Sequence, residues 1–179
     1  MAAGATVYVF TIELSDADRG VYQSFELRVA RHSSETHQFL LVRLLAYCLE
    51  WQEGIELTDG IAAVDLPAVL VRDLTGQIRA WIEVGAPDAA RLHRGSKQAA
   101  RCAVYTHRDP APLLEQLRAE KIHRAAELPV YSFDRAFIES ASPTLTRRTK
   151  LGLSVTGAHL YLDIDGKGFE SPLTEQRIG

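Results

Sequence analysis

Apolar and polar positions along this 179-residue chain follow two periods. Runs of β-branched and aromatic residues with polar alternation predict strands, and apolar residues at a spacing of three or four predict helices. In chain order these are ATVYVFTIEL and VYQSFELRVA (strands), SSETHQFLLVRLLAYCLEW (helix), AVLVRD and IRAWIEV (strands), DAARLHRGSKQAAR (helix), CAVYT (strand), PAPLLEQLRAEKIHRA (helix), LPVYSF (strand), DRAFIES (helix), and LGLSVTG, HLYLDI and FESPL (strands). The order ββαββαβαβαβββ predicts an α+β fold, with a mixed β-sheet and covering helices.

Capping and turn residues refine the ends of these elements. A serine cap with Glu35 in the first turn is predicted to begin the first helix, and Asp88 to begin the second, which runs through Arg101. Turns at Thr156-Gly157 and Asp165-Gly166 predict a β-meander at the end of the chain.

Composition narrows the class of protein. The length and the 46% hydrophobic content predict one domain over residues 1–179, with a single well-buried core. The net charge of -3 means that any basic surface must be local. No apolar run reaches the ~20 residues of a membrane span, and both cysteines lie in apolar segments. We therefore expect a soluble cytoplasmic protein that does not contact a membrane.

The strand IRAWIEV ends on a carboxylate. Alternation places Arg79, Trp81 and Glu83 on one face of the strand. A hairpin turn at LTGQ would set residues 66–68 opposite Glu83, so that Asp65 lies one to three residues farther along. Two carboxylates at that separation would reach one Mg²⁺ or Mn²⁺ ion. A solvated strand end is the alternative interpretation.

A basic helix follows this strand. Arg91, Arg94, Gln98 and Arg101 share one helical stripe, and Lys97 lies beside it. An acidic strand end that faces a basic helix would suit a metal-bound phosphate. The same charges also fit an ordinary solvated face.

Three linked segments resemble a known family. RHSSETHQFLLVRLLAYCLEW, DLTGQIRAWIEVGAPDAARL and KQAARCAVYTH, in this order, are similar to the YaeQ family of small bacterial proteins over essentially the whole chain. The resemblance implies a compact variant of the PD-(D/E)xK nuclease fold, which is the fold of restriction endonucleases. In that superfamily the motif carboxylates bind Mg²⁺ and activate water for attack on a phosphodiester.

The resemblance implies a catalytic site with two departures. Glu83 matches the acid of the E-x-K motif, but Gly85 stands where the lysine belongs. Lys97 or Arg94 of the next helix would then supply the missing cation, with Lys97 near the scissile phosphate and Arg94 as a phosphate clamp. The proline of the other motif is followed by alanine, which leaves Asp65 as the second metal ligand.

Further residues carry over from the same resemblance. Glu35 matches an acid that some superfamily members contribute to the metal from the first helix, and a first-turn acid favoured by the helix dipole is the alternative. Arg43 lies two turns farther along a similar face. Gln98 and Tyr105 correspond to a glutamine and a tyrosine of some relatives. Arg94, Gln98, Arg43 and Tyr105 are accordingly the predicted substrate-binding residues.

One function that the sequence leaves open is a purely protein–protein role through an exposed apolar patch supplied by Trp51, Trp81 or the terminal strands. Two further functions follow from the carboxylate and the basic helix. One is a Mg²⁺- or Mn²⁺-dependent nuclease whose carboxylate emerges at the edge of a cleft that the basic helix roofs. The other is a non-catalytic module that binds DNA, RNA or a protein partner, which the loss of the motif aspartate and lysine favours. Histidine spacing predicts no zinc site, and no nucleophile elbow or glycine-rich phosphate loop is present in the sequence.

Overall fold

The computed structural model describes residues 5–59 and 64–179, which form ten strands and four α-helices. The strands are β1 (Thr6–Asp16), β2 (Val21–Arg31), β3 (Ile55–Leu57), β4 (Val69–Arg72), β5 (Ile78–Val84), β6 (Arg101–Thr106), β7 (Pro129–Phe133), β8 (Arg148–Thr156), β9 (His159–Ile164) and β10 (Lys167–Arg177). The helices are α1 (His37–Leu49), α2 (Ala89–Gln98), α3 (Pro110–Arg118) and α4 (Arg135–Ala141). The predicted order is confirmed, and β3 is an additional strand that is too short to give a periodic signal.

All ten strands join one mixed sheet in the order β2-β1-β8-β9-β10-β7-β6-β5-β4-β3. β1 pairs in parallel with β8, and β5, β6 and β7 are parallel neighbours. The other neighbouring pairs are antiparallel. The predicted α+β class, with a mixed sheet and covering helices, is therefore confirmed.

Helix α1 is the centre of the larger core. Every residue from position 40 to position 50 is buried, and the helix contacts α4 and the strands β3 to β6. Its N-cap is Thr36, whose hydroxyl accepts a hydrogen bond from the Phe39 N–H at 3.0 Å. The predicted serine cap is wrong, because the Thr36 hydroxyl makes this bond. Glu35 lies before the helix rather than in its first turn.

The opposite face of the sheet carries α2 and α3 on a second apolar cluster around Trp81. A Cβ atom on Gly95 would lie 2.5 Å from Cδ1 of the Trp81 ring, so the glycine allows α2 to lie directly on the indole. The helix ends at Gln98 because Ala99 is extended, and Arg101 begins β6. The predicted helix was therefore too long at its C-terminal end.

Strand β5 ends in a glycine with an unusual backbone. Gly85 has φ +92°, a left-handed conformation that favours glycine, while its N–H still bonds to the Tyr105 carbonyl at 2.9 Å. The chain turns there toward α2. As a result, the carboxyl ends of the parallel strands β5 and β6 lie side by side, where ligands commonly bind in parallel sheets.

Candidate functional site

Glu83 is buried beneath α2 and is held by three hydrogen bonds. As predicted, it shares a face of β5 with Trp81, whose indole Nε1–H donates to Glu83 Oε2 at 2.9 Å. Arg91 donates to the same oxygen from Nε at 2.9 Å and to Oε1 from Nη2 at 3.3 Å. The side chain of Glu83 is only 5% exposed. Its charge is therefore neutralised within the protein, and the carboxylate does not emerge at the edge of an open cleft.

Arg91 also fixes the segment that contains Asp65. Its Nη1 donates to the Val64 carbonyl and its Nη2 to the Leu66 carbonyl, both at 2.8 Å. Asp65 lies between these two residues and is exposed. The Val69–Ile82 pairing, continued by one residue, sets position 68 opposite Glu83, as the hairpin register predicted. Arg91 thus joins the end of β5 to the segment that contains Asp65, which are the two segments that a metal ion was predicted to join.

The role of Arg91 was missed from the sequence, which assigned it only to a basic stripe. Asp88 caps α2 by accepting from the Arg91 N–H at 2.8 Å, and this cap sets Arg91 in the first turn. The half-buried side chain can then reach back to Glu83 at the end of the preceding strand. An arginine in the first turn after an acid-terminated strand is the signal that would have indicated this pair.

Glu35 and Arg43 form a separate, fully buried ion pair. Arg43 Nη2 donates to Glu35 Oε1 at 3.0 Å, and the guanidinium also donates to the carbonyls of Ala30 and Thr58. Burial raises the pKa of the Glu35 carboxyl even though Arg43 opposes the shift, and burial lowers the pKa of Arg43. Both predicted site residues are therefore engaged with each other.

Tyr105 belongs to a third cluster, on the α1 side of the sheet. Its hydroxyl donates to Glu50 Oε2 at 2.5 Å, and Arg101 binds both Glu50 oxygens at 2.6 and 2.8 Å. Burial raises the pKa of Tyr105, and its ring stacks on Tyr131 at 4.7 Å between centroids. Since Glu83 faces α2, Tyr105 and Glu83 lie on opposite faces of the sheet.

The remaining predicted residues form the outer face of α2. Arg94, Lys97 and Gln98 are exposed, and in the described part of the chain neither Arg94 nor Lys97 makes an ion pair within 4.0 Å. Arg101, expected on the same stripe, lies in β6 with Glu50. The predicted site therefore divides into a buried carboxylate with its arginine, two other buried clusters and an exposed basic helix face.

These carboxylates do not fit a divalent metal ion in the observed arrangement. Over residues 5–59 and 64–179, no three His, Cys, Asp or Glu side chains lie close enough together to hold a metal. Glu83 and Glu35 each have an arginine nitrogen within 3.0 Å, and that charge opposes a second cation at the same oxygens. The Mg²⁺ or Mn²⁺ that the sequence predicted at Glu83, Asp65 and Glu35 stays a prediction.

A cavity of about 700 Å³ opens beside the ends of β5 and β6. We call it the basic pocket, and its lining residues are Thr36, Gln38, Phe39, Gly85, Ala86, His107, Arg108, Arg135 and Glu139. Burial, with smaller effects from Arg108 and Arg135, lowers the pKa of His107. These side chains were not among the predicted site residues, although a His-Arg pair directly after a buried strand was the available signal.

Comparisons with known proteins agree with this architecture. Residues 1–172 match the YaeQ protein family. The chain belongs to the YaeQ family. Among its relatives is the uncharacterized protein YaeQ of Escherichia coli strain K12, which is 31% identical over 175 residues, or 97% of each chain. The corresponding protein of Salmonella typhi is 29% identical over the same share of both chains.

Solved structures of YaeQ proteins share the whole fold. The crystal structure of YaeQ from Pseudomonas syringae has a TM-score of 0.88 at 27% identity and covers 98% of both chains. The YaeQ structure from Xanthomonas axonopodis pv. citri also has a TM-score of 0.88, at 26% identity, over 96% of this chain and 98% of that one. The family resemblance read from the sequence is thus confirmed. No helix in the described part of this YaeQ-family chain has the length and apolar character needed to cross a membrane.

Proposed function

We propose that this YaeQ-family protein binds nucleic acid through the exposed face of α2 and does not hydrolyse it. The observation that carries the proposal is the closed hydrogen-bonded contact between Glu83 and Arg91. A relationship to the PD-(D/E)xK fold is part of the proposal. It is supported by the position of Glu83 near the end of the second strand of the β4–β5 hairpin, whereas Gly85 in place of the motif lysine is a departure from that fold's motif.

Hydrolysis by that superfamily requires carboxylates that are free to hold a cation near the attacking water. Here Arg91 and Trp81 occupy the carboxylate oxygens of Glu83. Gly85 supplies no charge for the transition state, and the loss of one such group commonly costs a factor of about 10² to 10³ in rate. A chain with this geometry retains the framework of the site but not its reactive groups.

Binding needs only local positive charge. Arg94 and Lys97 are three residues apart on one exposed helix face, so their side chains are neighbours, and Gln98 adds a hydrogen-bonding group beside them. Phosphate contacts of this kind supply the sequence-independent affinity for nucleic acids. The buried face of α2 carries Leu92, Gly95 and Ser96 against the sheet, so a ligand on the outer face leaves the Glu83–Arg91 contact in place. Cytoplasmic DNA or RNA is the ligand proposed.

The test compares two double variants that remove the same charge. R94A/K97A alters the α2 face, whereas R147A/K167A removes one exposed arginine and one exposed lysine from outside α2. Fluorescence anisotropy with single- and double-stranded DNA and RNA at about 50 mM salt should show at least a tenfold weakening for R94A/K97A only. The slope of log K against log salt should fall by about two, one for each lost phosphate contact.

Other outcomes would overturn the proposal in distinct ways. Equal weakening by both double variants would show that only net charge matters and not the α2 face. Cleavage that needs Mn²⁺ and disappears in Glu83→Gln would establish the metal-dependent nuclease. Failure of the wild-type protein to bind any of these nucleic acids would favour a protein partner instead.

A further inference from the structure

The basic pocket lies apart from the outer face of α2 and has its own chemistry. We propose that it binds the phosphate group of a phosphate monoester, held by Arg108, Arg135 and His107. The volume of about 700 Å³ is in the range of small-molecule sites and accommodates a ligand of mononucleotide size.

The charge balance of the pocket favours an anion. Arg135 pairs with Glu139 at 2.8 Å, one helical turn away. Arg108 is exposed and makes no ion pair within 4.0 Å among the described residues. The two arginines and one glutamate leave one uncompensated positive charge. A guanidinium fork binds two phosphate oxygens at once, so Arg108 is the main contact and Arg135 the second.

His107 adds a half-buried, titratable ring to the wall of the pocket. Its Nδ1 is buried and has no hydrogen-bond partner in the described part of the chain. The charged groups that act on the ring are Arg108, Arg135 and Glu139, and the two arginines together with burial favour its neutral form. A bound dianion would reverse the effect of the arginines. His107 would then take up a proton, and the charged ring at the pocket wall would attract the ligand.

Two backbone features shape the same space. The 13-residue helix α1 begins beside the pocket with Thr36 as its cap, and its first turn carries no acidic residue that would oppose an anion at the positive end of the helix. Gly85 lies close to the Phe39 ring, since a Cβ on Gly85 would stand 3.3 Å from Cε2. A side chain at position 85 would contact Phe39 at the wall of the pocket.

The first experiment measures anion binding by calorimetry and by the ring resonances of His107. The probes are inorganic phosphate, sulfate and acetate, with R108A as the test and R147A as the matched control. We expect phosphate and sulfate to bind more tightly than acetate, R108A to weaken both at least about tenfold, and R147A to change affinity less than about twofold. Equal effects of R108A and R147A, or acetate binding as tightly as phosphate, would overturn the proposal.

A second experiment uses pH, because sulfate stays a dianion where phosphate titrates. Proton uptake by His107 should strengthen sulfate binding as the pH falls from about 8 to about 5.5, and H107Q should remove this dependence. Sulfate should also raise the pKa of His107 in the wild-type protein. Sulfate affinity that does not change with pH, or a pKa of His107 that sulfate leaves unmoved, would contradict a direct contact.

A third experiment shows whether the bound phosphate belongs to a free metabolite or to the end of a nucleic-acid strand. It uses a variant in which the α2 face no longer contributes to nucleic-acid binding. In the R94A/K97A background, a mononucleotide 5′-phosphate and oligonucleotides with a 5′-phosphate or a 5′-hydroxyl are compared. Binding of the mononucleotide alone indicates a free metabolite, and binding of the 5′-phosphorylated strand as well indicates a strand end. Binding of neither would overturn the proposal. R108A should not affect the affinity of the otherwise unmodified protein for 5′-hydroxyl strands, so this inference can fail while the proposed function holds.

Discussion

Glu83 and the basic pocket both lie near the carboxyl ends of β5 and β6. The charge of Glu83 is compensated within the protein, whereas the pocket has an excess of positive charge. Glu83 has one arginine and one indole for its two oxygens and is buried under α2. The pocket has two arginines and a half-buried histidine for one glutamate, and it opens to solvent. A charge that the protein satisfies internally stabilises the fold, whereas one that it leaves uncompensated is available to a ligand.

The largest effect is expected from Arg91→Ala. This change leaves a buried carboxylate without its cation and releases the carbonyls of Val64 and Leu66. The free energy of unfolding should fall by about 2–3 kcal/mol, less than for a fully buried pair because the Arg91 side chain is 26% exposed. Urea denaturation at neutral pH measures the change.

A charge-removal control sharpens this prediction. Glu83→Gln in the Arg91→Ala background removes the unpaired buried charge while retaining an acceptor for Trp81, so it should recover part of the lost stability. A double variant that is less stable than Arg91→Ala would contradict the account of Glu83 as a neutralised structural group.

The next largest effect concerns the contact between α2 and the sheet. Gly95→Ala places a methyl group where the Trp81 ring lies, with a closest approach of 2.5 Å. Overpacking should outweigh the roughly 1 kcal/mol gained in helix propensity, for a net loss of about 1–2 kcal/mol. Lys97→Ala, on the exposed face of the same helix, should leave the unfolding free energy nearly unchanged. An increase in stability for Gly95→Ala would mean that α2 does not lie directly on the indole.

The smallest effect concerns the pH dependence of stability in the basic pocket. Burial and the nearby Arg108 and Arg135 hold the pKa of His107 below its ordinary value of 6.5, and Glu139 opposes them. The unfolded chain therefore binds more protons in that window, and stability is lost as the pH falls below about 6.5. His107→Gln should flatten thermal stability between about pH 7.5 and 5.5. Identical pH profiles for the wild-type protein and His107→Gln would contradict a lowered pKa of His107 in the folded state.

Much of the fold could be predicted because strand and helix periods are strong where one face is buried. The turn at Asp165-Gly166 and the shared face of Trp81 and Glu83 followed from local rules. β3 was missed because three residues cannot show alternation. The length of α2 was overestimated because the extended backbone at Ala99 has no strong local signal.

The candidate site was less predictable because its determining contacts join residues distant in sequence. The resemblance selected Glu83 as a metal ligand, which stays a prediction, and the arginine in the first turn of α2 that pairs with Glu83 was assigned only to a basic stripe. Tyr105 was predicted in the same site as Glu83. Successive side chains along β6 alternate between the two faces of the sheet, and Tyr105 lies on the face opposite Glu83, where its hydroxyl donates to Glu50 at the end of α1. The His107-Arg108 pair after β6 was a local signal, but the pocket that it lines also needs residues from the start of α1, the end of β5 and α4, which lie far apart in sequence.

The central claim is that Glu83 serves Arg91 and not a metal ion. Its most direct test is Mn²⁺ binding, followed by electron paramagnetic resonance and calorimetry, in the wild-type protein and in Glu83→Gln, with oligonucleotide cleavage measured in the same samples. The account predicts no Mn²⁺ binding that depends on Glu83, no cleavage, and nucleic-acid affinity that EDTA does not change. Stoichiometric Mn²⁺ binding and cleavage that both disappear in Glu83→Gln would contradict it.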